Sequence, residues 1–356
     1  MPRFSPETLS SIGREIFSTL GCSETDAATV ADHLVGSSLF GHDSHGTLRF
    51  YEYLEAIRDG RWNPTGRPTI VREKPSTAVV DGGGAMGQVG ATFATQLAIE
   101  KARRHGVATV TLRNTCHIGR CGAYPLLAAT NEMIGLLFVN AGSLGRQTAP
   151  YGGTDGKLST NPIAFAAPRR DRDPIMVDMA TAATAEGKVR VYRNRNEAVP
   201  EGWLTDRNGK ISTDPGDYLS RAGGALLPLG GVAAHKGYCL SMMVEILGGA
   251  LSGEGCASGE SAMISNGVLI TVFNIEHFVD LQEYYDDLEV LIAHVLSSQV
   301  DPEVGQIQLP GEPEFRSAKK HEANGIEIDT TTWAHICKGA DSLGLDSRRW
   351  NQQRLG

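Results

Sequence analysis

The spacing of apolar positions divides the chain into a helical opening, a strand-rich middle and a helical close. Leu9, Ile12, Ile16 and Leu20 recur at helical intervals after Ser5-Pro6-Glu7, a start signal with proline in the first turn, and the pattern stops at Gly21. Ser23-Glu24-Thr25-Asp26 has the form of a capping box and opens a second helix through Val30, Leu34 and Val35, ending near Gly41. A third helix is expected from Ser44 or His45 to Asp59-Gly60. From Thr77 the pattern becomes short apolar runs separated by glycine. Strands are expected at 77–81, 107–112, 134–139, 162–166, 175–179 and 267–272, with helices at 90–105 and 124–131 between them. Leu240, Met243, Val244 and Leu247 mark a buried helix over 237–249, and helical patterns return over 279–296 and 331–343. The polar, Arg-rich stretch from Arg190 to Arg221 reads as an excursion over the surface.

Helices at both ends of a strand-rich middle predict an α+β protein whose termini pack together. The expected division is a helical, substrate-side module of residues 1–75 plus 290–356 and a sheet-centred domain of residues 76–289.

Composition narrows the function. The 356 residues are 41% hydrophobic and 21% charged, as in an ordinary globular protein. A net charge of −8 argues against nucleic acid or an anionic membrane as partner. No apolar run reaches the length of a membrane span, and residues 1–20 lack a signal-peptide core, so a cytoplasmic location is the expectation. The six cysteines are scattered, which favours reduced thiols over a disulfide framework. Cys116, His117 and Cys121 have no companion cluster at zinc-site spacing.

The chemistry concentrates in a few places. Gly41-His42-Asp43-Ser44-His45-Gly46 is followed by Arg49. On one helix, His45 and Arg49 would share a face, and the helix dipole would keep His45 neutral. An imidazole and a guanidinium converging on one spot suit a small anionic substrate that gains or loses a proton. The plainer alternative is an N-cap serine beside surface residues. His117 sits in a strand-to-helix turn with glycines at 119 and 122, either facing a ligand or capping a helix. Thr160-Asn161-Pro162 opens a strand, and Asp178-Met179-Ala180-Thr181 ends one. His235-Lys236 precedes the buried helix, where a lysine could meet phosphate. Gly82-Gly83-Gly84-Ala85-Met86-Gly87 satisfies the dinucleotide fingerprint, but three consecutive glycines make chance matches common, and no clean βαβ series follows.

Taken in order, these motifs resemble the malate/L-lactate dehydrogenase family of the type that does not use a Rossmann fold, which includes L-sulfolactate and ureidoglycolate dehydrogenases. The chain is also similar to that family's 2,3-diketo-L-gulonate and Δ1-piperideine-2-carboxylate reductases. The match runs from Gly41 to Leu309-Pro310-Gly311-Glu312-Pro313-Glu314, through His117-Ile118-Gly119, Thr160 to Ala164, Asp178 to Thr181 and His235 to Tyr238. The resemblance implies an L-sulfolactate dehydrogenase-like fold, a homodimer, and NAD- or NADP-dependent hydride transfer involving a 2-oxo acid, a 2-hydroxy acid or a cyclic imino acid. It makes His45 the acid/base residue assisted by Ser44, places His117 against the reaction, and has Arg49 anchor the substrate carboxylate. Thr160, Asn161, Asp178, Met179, Ala180, Thr181, His235, Lys236, Gly311 and Glu312 would line the cofactor. Ala182 stands where the family commonly has serine, and Arg120-Cys121 is bulkier and more polar than the pattern leads one to expect. A non-catalytic carboxylate-binding protein on the same fold and a Rossmann-type dehydrogenase using Gly82 to Gly87 are the competing readings.

Overall fold

The computed structural model describes residues 1–220, 223–259 and 265–355; Arg221, the last residue of the Arg-rich excursion, lies outside them. Strand β1 (Arg3–Phe4) leads into helices α1 (Pro6–Thr19), α2 (Glu24–Leu39) and α3 (Arg49–Arg58). Ser5 and Ser23 cap the first two through hydrogen bonds from the Thr8 and Asp26 amides, as their sequence signals require. The central segment supplies β2 (Thr69–Lys74), β3 (Thr77–Asp81), α4 (Gly87–His105), β4 (Val107–Arg113), α5 (Ala123–Ala129), β5 (Met133–Asn140), β6 (Ile163–Arg169) and β7 (Arg172–Met179). Next come α6 (Glu186–Asn194), β8 (Leu204–Thr205), β9 (Ile211–Ser212), α7 (Pro215–Leu219), β10 (Ala225–Leu226), α8 (Ala234–Val244) and β11 (Gly267–Asn274). The chain closes with α9 (Leu281–Leu296), α10 (Glu312–Asn324), β12 (Ile326–Glu327), α11 (Thr330–Ser342) and α12 (Arg348–Asn351).

Seven strands form one sheet in the order β2-β3-β4-β11-β5-β6-β7. Only β3 and β4 pair in parallel; the other neighbours are antiparallel. A doubly wound dinucleotide fold needs a mostly parallel sheet, so the Rossmann reading of Gly82 to Gly87 is overturned. Those glycines serve packing instead. Gly83 and Gly84 have φ of +62° and +69°. A Cβ on Gly87 would lie 2.1 Å from the His117 carbonyl oxygen, so the first turn of α4 rests directly on the His117 backbone.

The two ends of the chain share a core. Leu9, Ile12, Phe17, Leu34, Phe50 and Leu54 pack with Trp333, Ile336 and Trp350, and β1 pairs antiparallel with β12. A second core joins α4 and α5 to the sheet through Ala94, Ala98, Val110, Leu137 and Ile270.

Four sequence expectations change. The third helix starts at Arg49, because residues 43–45 form a separate 3-10 turn. The Arg-rich excursion folds as a small module: α6, α7 and the sheet β10-β8-β9 close over Val189, Val199, Leu204, Tyr218 and Leu226. Five well-spaced apolar residues suffice for it, too few to stand out against the polar background. The helix at 237–249 is only half buried. Val244 is inside, Met243 and Ile246 are exposed, and residues 245–250 widen into a π-helical turn. Strand β2 and helix α10 carry too little apolar periodicity to be read; β2 is exposed along its whole length at the sheet edge.

Candidate active site

Several separate elements deliver side chains to one cavity of about 210 Å³ between the terminal helices, the sheet and the small module. Ser44, His45 and Arg49 come from the turn before α3, and His117 from the loop after β4. Asn140, Ser159, Thr160, Asn161 and Asn266 come from strand ends, while Glu186, Gly187 and Arg190 come from α6.

The 43–45 turn is pinned to α2, since the Thr47 amide donates to Ser38 Oγ at 3.0 Å. A Cβ on Gly46 would sit 2.1 Å from that oxygen. His45 and Arg49 therefore meet without sharing a helix: Arg49 Nε donates to the Ser44 carbonyl at 2.7 Å. One Nη of Arg49 pairs with Glu52. Gly187 packs against Ser44, where an added Cβ would fall 2.7 Å from Ser44 Cβ, so α6 closes directly on the turn.

The two imidazoles stack, with ring centroids 5.4 Å apart and planes 27° from parallel. Burial, reinforced by Arg49, pushes His45 from 6.5 down to about 3. Burial, then Arg49 and His45, holds His117 well below 6.5. Both rings are thus neutral at pH 7, but through desolvation and a neighbouring cation, not through the helix dipole expected from sequence. Ser44 Oγ lies 2.9 Å from His45 Nδ1. Tyr53 Oη lies 2.7 Å from His117 Nδ1 and accepts from Gln88 Nε2 at 2.9 Å. With Gln88 holding its oxygen, the Tyr53 hydroxyl shares a hydrogen bond with Nδ1 that orients the His117 ring.

Beneath this pair, the Arg120 amide donates to His33 Nε2 at 2.9 Å, and burial takes His33 to about 3. The Arg120 guanidinium lies over the Phe40 ring and is buried, away from the cavity. The bulk noted in the sequence is therefore absorbed by the core. Burial also pushes the Cys116 thiol up to about 12 and Cys121 higher than usual, so both thiols stay protonated.

Other residues named from sequence fall elsewhere. Asp178 Oδ2 accepts from the Gly122 amide at 2.7 Å and braces the His117 loop; burial raises its carboxyl. Thr181 Oγ1 donates to the carbonyls of Thr160 and Asn161 at 3.1 and 2.9 Å, holding that strand end in place. Met179 is exposed and Ala180 half-buried, one residue beyond β7. His235 and Lys236 are exposed on α8, with the His235 ring 5.8 Å from Tyr151. Gly311 caps α10 against Met176, and Glu312 accepts from the Leu309 amide at 2.9 Å. None of these eight residues lines the cavity; Ser44, His45, Arg49, His117, Thr160 and Asn161 do. Sequence reasoning missed Tyr53, Gln88, Asn140 and Asn266. Tyr53 alone carried a signal, lying one helical turn after Arg49.

The malate/L-lactate dehydrogenase family model matches residues 4–337. The malate dehydrogenase of Pyrococcus horikoshii is 39% identical over 339 residues, 93% of this chain and 92% of that protein. The sulfolactate dehydrogenase of Methanocaldococcus jannaschii has a similar structure, with a TM-score of 0.87 at 34% identity, covering 98% of this chain and 99% of that one. The Δ1-piperideine-2-carboxylate reductase of Pseudomonas syringae gives 0.84 at 30% identity, covering 96% and 100%. Fold, sequence and an imidazole pair beside an arginine agree: the chain belongs to the malate/L-lactate dehydrogenase family and is an oxidoreductase with a sulfolactate dehydrogenase-like, non-Rossmann fold.

Proposed function

We propose that the protein transfers a hydride between NAD or NADP and a small 2-oxo or 2-hydroxy acid, or a cyclic imino acid. The observation that carries this reading is the neutral His45/His117 pair beside Arg49 in one cavity. Relatives named for malate, sulfolactate and an imino acid support the substrate range. The cavity also fits a nicotinamide. Ser159 and Asn161 line it, and their Oγ and Oδ1, buried with no partner among the described residues, offer a donor and an acceptor suited to a carboxamide.

When bound, the nicotinamide supplies the hydride acceptor or donor. The chain's residues do the rest. Arg49 holds the substrate carboxylate through the edge of its guanidinium not engaged by Ser44 and Glu52. His45 donates Nδ1–H to Ser44 Oγ, which leaves Nε2 free to take the hydroxyl proton during oxidation and return it during reduction. In the tautomer whose Nδ1 accepts from Tyr53, His117 Nε2–H donates a hydrogen bond to the same oxygen or nitrogen. Stacking keeps the two rings from both being charged, so one proton is handled at a time. Asp178, His235, Lys236, Gly311 and Glu312 remain candidates for cofactor contacts outside the cavity.

A homodimer is part of the same proposal. Met242, Met243, Ile246 and Leu251 expose apolar surface along one helical stretch, and such a patch suits a second copy of the chain.

The function is tested by mixing protein, NADH or NADPH, and a panel of 2-oxo acids and cyclic imines while following nicotinamide absorbance. Turnover with at least one pair is expected. No turnover with any member and no dinucleotide binding would leave a carboxylate-binding protein as the reading.

A further inference from the structure

Glu245 is 4% exposed and forms no ion pair with any described residue. Its carboxylate is surrounded by donors. Oε1 accepts from Asn161 Nδ2 at 2.8 Å, while Oε2 accepts from the Ala257 amide at 2.9 Å and from Asn140 Nδ2 at 3.3 Å. It stands at the first position of the π-helical turn 245–250. Gly248 and Gly249 in that turn let the helix approach Asn140; a Cβ on Gly249 would lie 2.5 Å from Asn140 Nδ2. Both asparagines are buried and both line the cavity. The Asn140 carbonyl accepts from Asn266 Nδ2 at 2.9 Å, and Asn266 Oδ1 accepts from the Ile118 amide at 2.9 Å, next to His117.

A carboxylate with three donors around it can only accept, so it dictates which way an amide bound to it faces. At Asn161 it draws Nδ2 inward, with a second bond to Ser241 Oγ at 2.9 Å. Oδ1 is left on the opposite side of the amide, fully buried and without a partner among the described residues. Asn161 also has φ of +42°, a backbone setting that few side chains other than Asn and Gly accept. We propose that Glu245 is a positioning residue that fixes the Asn161 amide so that Oδ1 meets a ligand N–H donor, the carboxamide NH2 of nicotinamide. This rests on the nicotinamide reading above.

The substitution Glu245→Gln gives the inference a sharp form. The Ala257 amide and Asn140 Nδ2 keep the new amide oxygen on their side, so the new NH2 faces Asn161. Asn161 must then turn over, presenting NH2 to the cavity. The experiment measures dissociation constants, by quenching of protein fluorescence, for the native reduced dinucleotide and its 3-acetylpyridine analogue, which keeps the carbonyl but lacks the NH2. Wild type is expected to bind the analogue about tenfold more weakly, the worth of one hydrogen bond to a buried acceptor. In Glu245→Gln the ratio should fall to about twofold or less. Ser241→Ala should keep the wild-type ratio, because the carboxylate still holds the amide.

Equal binding of the two dinucleotides by wild type overturns the acceptor assignment. A folded Glu245→Gln protein with the wild-type ratio overturns the role of Glu245. Should that variant fail to fold, Asn161→Ser decides: it is expected to erase the preference, and retention refutes the proposal. Failure of wild type to bind either dinucleotide would instead refute the nicotinamide reading itself.

Discussion

Lowering the pH from 7 to 5 is expected to destabilise this fold, because four half-buried histidines stay neutral in it. Burial is the leading cause at each. It takes His33 and His45 from 6.5 to about 3, His42 to about 4, and His117 well below its usual value. The His33 ring accepts a hydrogen bond from the Arg120 amide that protonation would break. In the unfolded chain all four titrate at about 6.5. Below that pH the unfolded chain binds protons that the folded one excludes, so falling pH favours unfolding. The stabilisation is complete above 6.5 and is lost progressively down to the folded-state values. Between pH 7 and 5 the loss is about 2 kcal/mol per histidine, set by the unfolded titration alone while the folded values stay below the test pH. Four such groups set an upper bound of about 8 kcal/mol, which their partial exposure and the His42–Glu314 pair reduce. Asp43 and Asp178, raised by burial, act in the opposite direction and return part of this as they protonate. The assay is urea unfolding followed by tryptophan fluorescence at pH 7, 6 and 5, for wild type and His33→Gln. Glutamine can still accept from the Arg120 amide but cannot titrate, so the variant should shed about 2 kcal/mol of the pH dependence. Equal midpoints at pH 7 and 5, or an unchanged slope in His33→Gln, would refute the reasoning.

Arg49→Lys keeps the charge but loses the Nε bond to Ser44 and the planar fork; kcat/KM should fall on the order of 100-fold with little change in melting temperature. Tyr53→Phe strips the partner from Gln88 Nε2 and His117 Nδ1, both buried, at a cost of about 1–3 kcal/mol in unfolding experiments. Steady-state kinetics should show kcat falling more than KM changes, since the variant frees the His117 ring. Gly87→Ala drives a methyl into the His117 carbonyl; a destabilisation of about 2 kcal/mol or more, with lost activity, is expected by thermal melting and turnover assay. Met243→Asp should shift the sedimentation coefficient towards a monomer, and an unchanged dimer would remove the α8 face from the interface.

Much of this architecture was local enough to read from the chain. The strand at 77–81 has the bounds its alternation predicts, and α1 and α2 start at their serine caps, because period and capping are set within a few residues. The ordered motifs identified the family and singled out Ser44, His45, Arg49 and His117, which line one cavity. Local rules failed where two short-range readings competed. Gly82 to Gly87 has the form of a phosphate loop, and only the antiparallel sheet shows that it is a seat for the His117 backbone. The Arg-rich segment looked like an excursion because its core residues Val199, Leu204 and Tyr218 gain their meaning only when they close on Val189 and Leu226 at its borders.

The site itself is a tertiary product. Tyr53 and His117 lie 64 residues apart, and Asn161 and Glu245 lie 84 apart. No periodicity links such pairs. The sequence by itself determined most of the secondary elements, the chemical inventory and the family. Tertiary packing decided how the His117 ring is held, why both imidazoles are neutral, and which buried carboxylate the Asn161 amide faces. Those properties depend on desolvation and on donors from distant segments, and both exist only once the helices, the sheet and the small module have closed around the same 210 Å³.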